Sequence, residues 1–340
     1  MQKCYASFRG AISGVDRLAQ AGQLSILGGF TASPRMVAFQ VPLGDEVDGI
    51  VLLDRVSDAG RLIATNSYTH WSPRFSMDGE RLVFARQMVG SEDRELLSCE
   101  TITWHCSVLF RTKAALSSPV DVQNGNVIFS TTVQRANGSR GFDVFVVRKG
   151  QMPVRLTNYE ASMLSPISVG GNKIAFSAGG SRSLESSPCV DGNILRCDMS
   201  EIYVLEFDPS TATILNRSTT LAPRFTVAGY STMPILSGDG KRVAFLNTNR
   251  KESPYRYNMV VADLDGVVRD EIAVEGLALS SGAFVENSLL VNELFEDHYR
   301  IRSVDLVSKR VTSMRVEHSP EYLRAIEPII LAVDESPAMR

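Results

Sequence analysis

The sequence predicts an all-β protein, a six-bladed β-propeller whose blades are four-stranded antiparallel sheets. A hairpin-like phrase returns along the chain at a nearly constant interval, and that interval fits four short strands with their turns. The phrase is clearest over residues 70–85, where a short strand is predicted to start at Pro73. Asp78-Gly79 is a hairpin-turn signal, and Leu82-Val83-Phe84 is an apolar run rich in β-forming residues.

Five later segments repeat this phrase in whole or in part. They begin at Pro119, Pro166, Pro234, Gly282 and Pro328. Successive starts lie 46 to 48 residues apart, except for an interval of 68 residues after Pro166. We therefore expect one blade per interval and an insertion of about twenty residues in the blade that begins at Pro166.

The sixth blade is predicted to combine both ends of the chain. We expect residues 1–33 to form an N-terminal extension and residues 34–335 to form a single propeller domain. The predicted blades span approximately 73–115, 119–160, 166–228, 234–278 and 282–320, with a sixth made of 34–66 and 328–335. In this arrangement the C-terminal strand, Ile329–Val333, pairs innermost beside Met36–Phe39, which closes the ring and removes two open sheet edges.

The repeats resemble a known family. Ser72-Pro73, Met77-Asp78-Gly79 and Leu82–Ala85, with Pro153–Asn158 closing another unit, are similar to TolB-type β-propeller repeats over roughly residues 34–335. That resemblance implies the fold and leaves the function open. TolB carries a separate α/β domain ahead of its propeller, and this chain has no room for one.

Composition and charge exclude some classes of function. A net charge of −3 offers no electrostatic case for nucleic-acid binding. No run of eighteen apolar residues exists, so no transmembrane segment is expected. Residues 1–33 lack the apolar core of a signal peptide, and a native signal is missing from the sequence if its start has been trimmed.

Cysteine spacing predicts two disulfides. Cys99 and Cys106 flank a hairpin centred at Ile102 and Thr103, which would place them directly opposite each other, and Cys189 and Cys197 flank a turn in the inserted segment. Two such pairs indicate an oxidising compartment, and the alternative is free thiols in a cytosolic protein. Cys4 is left as an inert thiol, an intermolecular crosslink or the remnant of a lipid anchor.

Candidate binding residues come from the links that precede each innermost strand. In a propeller these links and the links between second and third strands share one face, around the mouth of the channel. The binding residues predicted there are Tyr68, His70, Trp71, Tyr230, Tyr322, Arg324 and Glu327. Aromatic rings with a few polar groups suit a sugar, a peptide or a small amphipathic ligand. Alternatively, Trp71 wedges between blades and the others are ordinary surface residues.

A long link on the same face is a further candidate. The segment Gly179–Ser200 is rich in Gly and Ser and carries one predicted disulfide, features that suit a recognition loop. The alternative is a tolerated surface insertion.

Catalytic signatures are few. The four histidines show no spacing typical of a metal site, so neither a metal nor another cofactor is expected. No Gly-x-Ser-x-Gly nucleophile motif and no phosphate-binding glycine loop are present. Some sugar lyases resemble this propeller type, but their metal-binding histidine cluster has no matching positions here.

These observations favour a non-catalytic binding or scaffold propeller, periplasmic or secreted, that presents a loop-rich face to a protein or carbohydrate partner. The alternative is an enzyme, a lyase or hydrolase of a saccharide or small cyclic substrate, with its site at the channel mouth. In that alternative His70 is the general base, assisted by Glu327 or Arg324.

Overall fold

The fold is all-β, and six sheets form the blades of a propeller. The structure is a computed structural model. It describes residues 30–44, 47–54, 57, 59–65, 67–122, 125–136, 138–158, 163–164, 167–179, 201–208, 210–211, 213–216, 230–249, 256–265, 267–275, 277–294, 298–317 and 327–334. Within these ranges no residue is helical, so none belongs to a helix that could cross a bilayer.

Blades 1, 2 and 6 belong to a first compact unit, formed by residues 1–113 and 275–338. Blade 1 contains β1 (Phe30–Ala32), β2 (Met36–Gly44), β3 (Val47–Asp54) and β4 (Gly60–Ile63). Blade 2 contains β5 (Tyr68–Phe75), β6 (Arg81–Met88), β7 (Arg94–Glu100) and β8 (His105–Thr112).

Blades 3, 4 and 5 belong to a second compact unit, formed by residues 114–274. Blade 3 contains β9 (Leu116–Asp121), β10 (Asn126–Gln134), β11 (Arg140–Arg148) and β12 (Val154–Arg155). Blade 4 contains β13 (Met163–Leu164), β14 (Ser168–Gly170), β15 (Lys173–Gly179), β16 (Glu201–Asp208) and β17 (Thr213–Asn216). Blade 5 contains β18 (Tyr230–Leu236), β19 (Arg242–Asn249), β20 (Arg256–Asp263) and β21 (Val268–Val274).

The remaining strands complete the first unit. Blade 6 contains β22 (Leu277–Val285), β23 (Ser288–Leu294), β24 (His298–Asp305) and β25 (Val311–Glu317). Two short strands follow, β26 (Glu327–Pro328) and β27 (Ala332–Asp334). Every blade is thus built around one contiguous stretch of chain, and the prediction of six antiparallel sheets is confirmed.

The C-terminal strand does not lie where the sequence pattern placed it. It does pair with an N-terminal strand, but β26 adds in parallel to β4, at the outer edge of blade 1. Further along, β27 adds in parallel to β8, at the outer edge of blade 2. We call residues 327–334 the C-terminal strap, because they connect the outer edges of two blades. The predicted innermost position beside Met36–Phe39 is wrong.

That innermost position is filled by β1, which falls inside the predicted N-terminal extension. Phe30 pairs with Phe39 and is fully buried. The side chain of Arg74 donates to the Phe30 carbonyl oxygen, and the Phe75 amide donates to Thr31 Oγ1 at 3.2 Å. Because β1 and the adjoining strands of blade 6 also share one apolar cluster, burial of Phe30 joins blade 6 to blade 1.

Two Asp-Gly turns adopt the predicted hairpin and explain why the phrase recurs. In blade 2, Gly79 has a positive φ of 76°, and the Asp78 carboxylate accepts from the Glu80 amide at 2.9 Å. Ser76 Oγ accepts from the Arg81 amide at 2.9 Å. The corresponding Ser-x-Asp-Gly turn of blade 5 repeats this pattern. The turn is locally encoded, since an Asx side chain replaces backbone partners and glycine accepts the left-handed conformation.

The innermost strands begin earlier than predicted. Pro73 lies near the end of β5, and the pairing of β5 with β6 shifts register between Trp71 and Arg74. Ser72 has a positive φ of 54° at this shift. A proline cannot donate to the ladder, so a bulge accommodates it without ending the strand. Residues predicted in the link before Pro73 therefore stand on β5.

One predicted disulfide is confirmed. Cys99 and Cys106 are bonded to each other and lie directly opposite in the β7–β8 pair. Both are buried in the apolar cluster that fills the space between blades 1 and 2. Cys4, Cys189 and Cys197 lie outside the described residues, as does most of Gly179–Ser200.

Candidate binding site at the loop-rich end of blades 1 and 2

We define the loop-rich end of a blade as the end where its second strand finishes and its third begins. In blade 2 this end holds the start of β5, the end of β6 and the start of β7. It also holds a dense set of polar side chains. The candidate site is built from these side chains and from their neighbours in blade 1.

Arg86 is the centre of an ion-pair network in blade 2. It stands opposite Glu95 in the β6–β7 register, and its Nε donates to Glu95 Oε2 at 2.7 Å. The other oxygen of Glu95 accepts from Arg111 Nε at 2.7 Å. Arg86 also places its guanidinium carbon 4.1 Å from the centre of the Tyr68 ring, a cation–π contact. Four side chains from four strands therefore hold one another in fixed positions.

His70 lies beside this network and is fully buried. Its ring packs 5.8 Å from that of Phe84 and 6.4 Å from that of Tyr68, measured between ring centres. Burial lowers the pKa of His70 to about 4, and the charge of Arg86 adds to the shift. The backbone of Asp48 opposes it through a contact that falls short of hydrogen-bond geometry, so neither ring nitrogen has a partner among the described residues. His70 is therefore neutral near pH 7.

A second chain of hydrogen bonds ties blade 1 to blade 2 at the same end. Gln40 Nε2 donates to the Asp48 carboxylate at 2.7 Å, and the Asp48 amide donates to Thr69 Oγ1 at 3.0 Å. The Ser72 amide donates to Gln40 Oε1 at 3.4 Å. Burial raises the pKa of Asp48, and the hydrogen bond from Gln40 opposes that shift. The site is thus shared by two blades.

Arg86 and Glu95 occupy a position that recurs around the propeller. Arg86 stands two residues after Phe84 on the second strand, and Glu95 is its cross-strand partner on the third. The equivalent pairs in blades 3, 5 and 6 are Thr131 with Asp143, Asn247 with Asn258, and Glu293 with Arg300. A polar pair therefore ends the apolar core at this end of four blades. In blade 2 the arginine is on the second strand and the glutamate on the third, and in blade 6 the two are reversed.

In blade 6 the buried partner is the carboxylate. Glu293 is fully buried and accepts from Arg300 Nε at 2.7 Å and from Arg302 at 2.8 Å. The Glu275 amide donates to Glu293 at 3.0 Å. A buried carboxylate with this many hydrogen-bond donors has its polar atoms satisfied and fixes the surrounding strands.

In the second unit the same position serves to attach an outer strand. Asp143 is fully buried and accepts from Thr157 Oγ1 at 2.7 Å and from the guanidinium of Arg155. Both donors follow or belong to the short strand β12. Asp143 therefore holds in place the part of blade 3 that has the fewest ladder hydrogen bonds.

Two exposed apolar side chains stand above the blade 2 network. Met88 ends β6, faces Tyr68 in the register, and is followed by exposed Val89. The Val89 amide donates to the Ser67 carbonyl oxygen at 2.9 Å, which joins the β6–β7 turn to the link before β5. Met88 and Val89 are thus an exposed apolar pair on a turn whose position this hydrogen bond fixes.

The structure brings together only some of the predicted binding residues. Tyr68 and His70 share one face of β5, and Trp71 lies half-buried on the alternate face. Tyr230 is the first residue of β18, where it pairs with Thr248. Tyr322 and Arg324 lie outside the described residues.

Glu327 does not join this group. It stands on β26 at the outer edge of blade 1, and its carboxylate lies 3.8 Å from Arg61 Nε. The physical reason is the pairing of the strap, which places Glu327 beside the outermost strand and His70 on the innermost one. The carboxylate that the enzyme alternative assigned to His70 is thus held elsewhere.

Sequence reasoning missed the network residues Gln40, Asp48, Arg86, Glu95 and Arg111. A usable signal exists for Arg86, since a charged residue two positions after the repeat's phenylalanine interrupts an otherwise apolar strand. Within the part of the chain that the structure describes, no group of three or more His, Cys, Asp and Glu is arranged to hold a metal ion.

Comparison with known proteins identifies the fold. No protein-family model and no curated protein matches the chain. Among solved structures, TolB from Acinetobacter baumannii matches with a TM-score of 0.61 and 15% identity, over 91% of this chain and 69% of that one. A protein assigned as TolB from Agrobacterium tumefaciens matches with a TM-score of 0.51 and 14% identity, over 80% of this chain and 89% of that one.

A peptidase shares the same architecture. The acylaminoacyl peptidase of Pyrococcus horikoshii matches with a TM-score of 0.54 and 11% identity, over 89% of this chain and 54% of the peptidase. The chain thus spans about half the length of that enzyme. Identities this low establish the fold alone, since unrelated functions share propellers. The fold of this chain is that of a TolB-like six-bladed β-propeller.

Proposed function

We propose that this protein is a non-catalytic binding or scaffold propeller that works outside the cytoplasm, in the periplasm or after secretion. It presents the loop-rich end of its blades to a protein or carbohydrate partner. The observation that carries the proposal is the pairing of an exposed apolar contact with a rigid support. Met88 and Val89 lie exposed directly above Tyr68 and the Arg86–Glu95 ion pair.

This arrangement resembles the centre of a protein-binding surface. Binding energy concentrates in a few aromatic, arginine and large apolar side chains that lose little freedom on association. Tyr68 is held by the Arg86 guanidinium, and Arg86 is held by Glu95, so their positions are fixed before a partner arrives. Exposed Glu92 and Asp93 follow Met88 and Val89 in the turn and would form a polar rim.

The disulfide supports the proposed compartment. A bonded pair such as Cys99 and Cys106 persists in oxidising environments and is rare in the cytosol.

Co-purification under non-reducing conditions tests the proposal, with quantification of each recovered partner and a glycan array for carbohydrate. The test variant replaces Met88 and Val89 with serine, and a second variant is Tyr68→Ala. The matched control is Met77→Ser. Met77 is 48% exposed and Met88 is 46% exposed, but Met77 stands on the Asp-Gly turn at the opposite end of the same blade.

We expect recovery of the partner, or the glycan signal, to fall about tenfold or more in both test variants and to stay at the wild-type level in the control. Circular dichroism and thermal melting confirm that each variant is folded. Unchanged recovery in the folded Met88/Val89 variant contradicts the proposal. Equal loss in the Met77 control moves the binding surface to the opposite end.

A further inference from the structure

A second surface lies at the other end of blade 2 and does not depend on the proposed function. Ile102, in the β7–β8 turn, is 88% exposed, and Ile330, in the strap, is 87% exposed. These are the two most exposed large apolar side chains of the described residues. Met77, in the β5–β6 turn, stands at the same end of the blade and is 48% exposed.

The strand register places Ile330 beside the turn that carries Ile102. β27 runs parallel to β8 with Ala332 opposite His105, so Ile330, two residues earlier, is level with the turn that carries Ile102. The Ala332 amide donates to the Trp104 carbonyl oxygen at 3.2 Å, which attaches the strap to that turn. We call Ile102 and Ile330 the blade-2 apolar patch.

The patch is held rigidly from behind. Thr101 joins the two turns, because its amide donates to the Glu80 carbonyl oxygen at 2.9 Å and its hydroxyl to the Gly79 carbonyl oxygen at 3.0 Å. The Cys99–Cys106 disulfide closes the hairpin directly below Ile102. Neighbouring Ile329 is buried in the cluster between blades 1 and 2, which fixes the strap that carries Ile330. Exposed apolar groups on a fixed frame lose little entropy when a partner covers them.

The charges around the patch are mainly acidic. Asp78, Glu80 and Glu100 are exposed in the two turns and flank Met77 and Ile102. The nearby cations already face carboxylates: Arg61 faces Glu327 at 3.8 Å, and His105 Nε2 lies 3.1 Å from Asp334. Arg81 acts on Asp78 and lowers its pKa, though less than the hydrogen bond from Ser76 does. An apolar centre with an acidic rim is complementary to a basic partner.

We propose that the blade-2 apolar patch docks a protein segment in which aliphatic side chains alternate with lysine or arginine. The aliphatic side chains cover Ile102 and Ile330, and the cationic ones pair with Glu80 and Glu100. Contiguous exposed apolar groups rimmed by charge mark interaction sites, whereas single exposed apolar residues are ordinary on protein surfaces.

The probe is a short fluorescein-labelled peptide of alternating leucine and lysine, titrated against the full chain by fluorescence anisotropy. A leucine–glutamate peptide of the same length is the charge control. One variant carries Ile102→Ser and Ile330→Ser, and another carries Glu80→Gln and Glu100→Gln. The matched charge control is Asp265→Asn with Glu271→Gln, two exposed carboxylates of blade 5.

We expect the leucine–lysine peptide to bind the wild-type chain and to lose about tenfold or more in affinity in both patch variants. The blade 5 control is expected to bind like wild type, and the affinity of the wild-type chain is expected to weaken as salt is raised. Equal binding of the leucine–glutamate peptide, or unchanged affinity in either folded patch variant, overturns the proposal. So does self-association in sedimentation that the serine variant abolishes, because the occupant is then a second copy of this chain.

The two tests fail separately. Met88→Ser with Val89→Ser removes the loop-rich surface without touching the patch, and Ile102→Ser with Ile330→Ser does the reverse. Loss of the peptide in the first variant counts against the patch, and loss of the co-purified partner in the second counts against the proposed function.

Discussion

Acidification is expected to destabilise this protein through one buried side chain. His70 is neutral in the folded state because burial, aided by the charge of Arg86, lowers its pKa from 6.5 to about 4. Its contribution to stability is fully present above pH 6.5 and is lost as the pH falls towards 4, because the unfolded chain binds the proton first. At about 1.4 kcal/mol per pKa unit the full loss is about 3 kcal/mol, of which about 2 kcal/mol has appeared at pH 5.

A second titratable group near His70 also contributes to the pH dependence of stability. The Asp48 carboxyl has a raised pKa because of burial, so its folded form takes up a proton more readily than its unfolded form. Acidification through the range between 3.8 and that raised value therefore favours folding at Asp48, opposite to His70. An Asp48→Asn variant separates the two contributions, since it removes the opposing one.

Denaturant unfolding at pH 8 and pH 5 measures the effect. His70→Leu keeps a similar volume and removes the titration, so the loss of unfolding free energy between the two pH values is expected to shrink by about 2 kcal/mol. The surface variant His105→Leu serves as the control for removing a histidine. A wild-type chain and a His70→Leu variant that lose the same free energy between pH 8 and pH 5 would refute the reasoning.

Three further predictions concern stability. Replacing Cys99 and Cys106 with alanine is expected to lower the free energy of unfolding by about 2 kcal/mol, and dithiothreitol is expected to lower it less in this variant than in the wild-type chain, as measured by denaturation with and without the reductant. Glu293→Gln removes the buried charge that pairs with two half-buried arginines and is expected to lower that free energy by about 3 kcal/mol, whereas exposed Glu275→Gln is expected to lower it by less than about 1 kcal/mol. Gly170→Ala puts a methyl group into a backbone carbonyl of blade 5 and is expected to lower the melting temperature by several degrees, about 2 kcal/mol in stability.

The repeated sheets could be predicted because their signals are local. A turn such as Ser76–Arg81 is specified by its own side chains, and two β-rich runs on either side of it have few other ways to pair. The Cys99–Cys106 bond followed for the same reason, since one hairpin brings both residues together. Local sequence signals therefore account for the blades and for one disulfide.

The placement of the strap could not be predicted in this way. Phe30–Ala32 and Ile329–Val333 are both short apolar segments able to pair with the edge of β2, and the choice depends on how well each fits there. The segment with Phe30 occupies this position because Phe30 is buried between two blades. Such long-range packing cannot be read from a short window of sequence. The candidate site was missed in part because Arg86 and Glu95 acquire meaning only when the register places them opposite each other.

The C-terminal strap also protects the protein from self-association through exposed strand edges. Strands β4 and β8 are each the last of a sheet, and β26 and β27 occupy backbone groups there that would otherwise be offered to any extended chain nearby. A protein cut after residue 326 would uncover two neighbouring sheet margins at once and is expected to oligomerise as its concentration rises. The repeated blades by themselves leave these two sheet edges open, and the strap covers them.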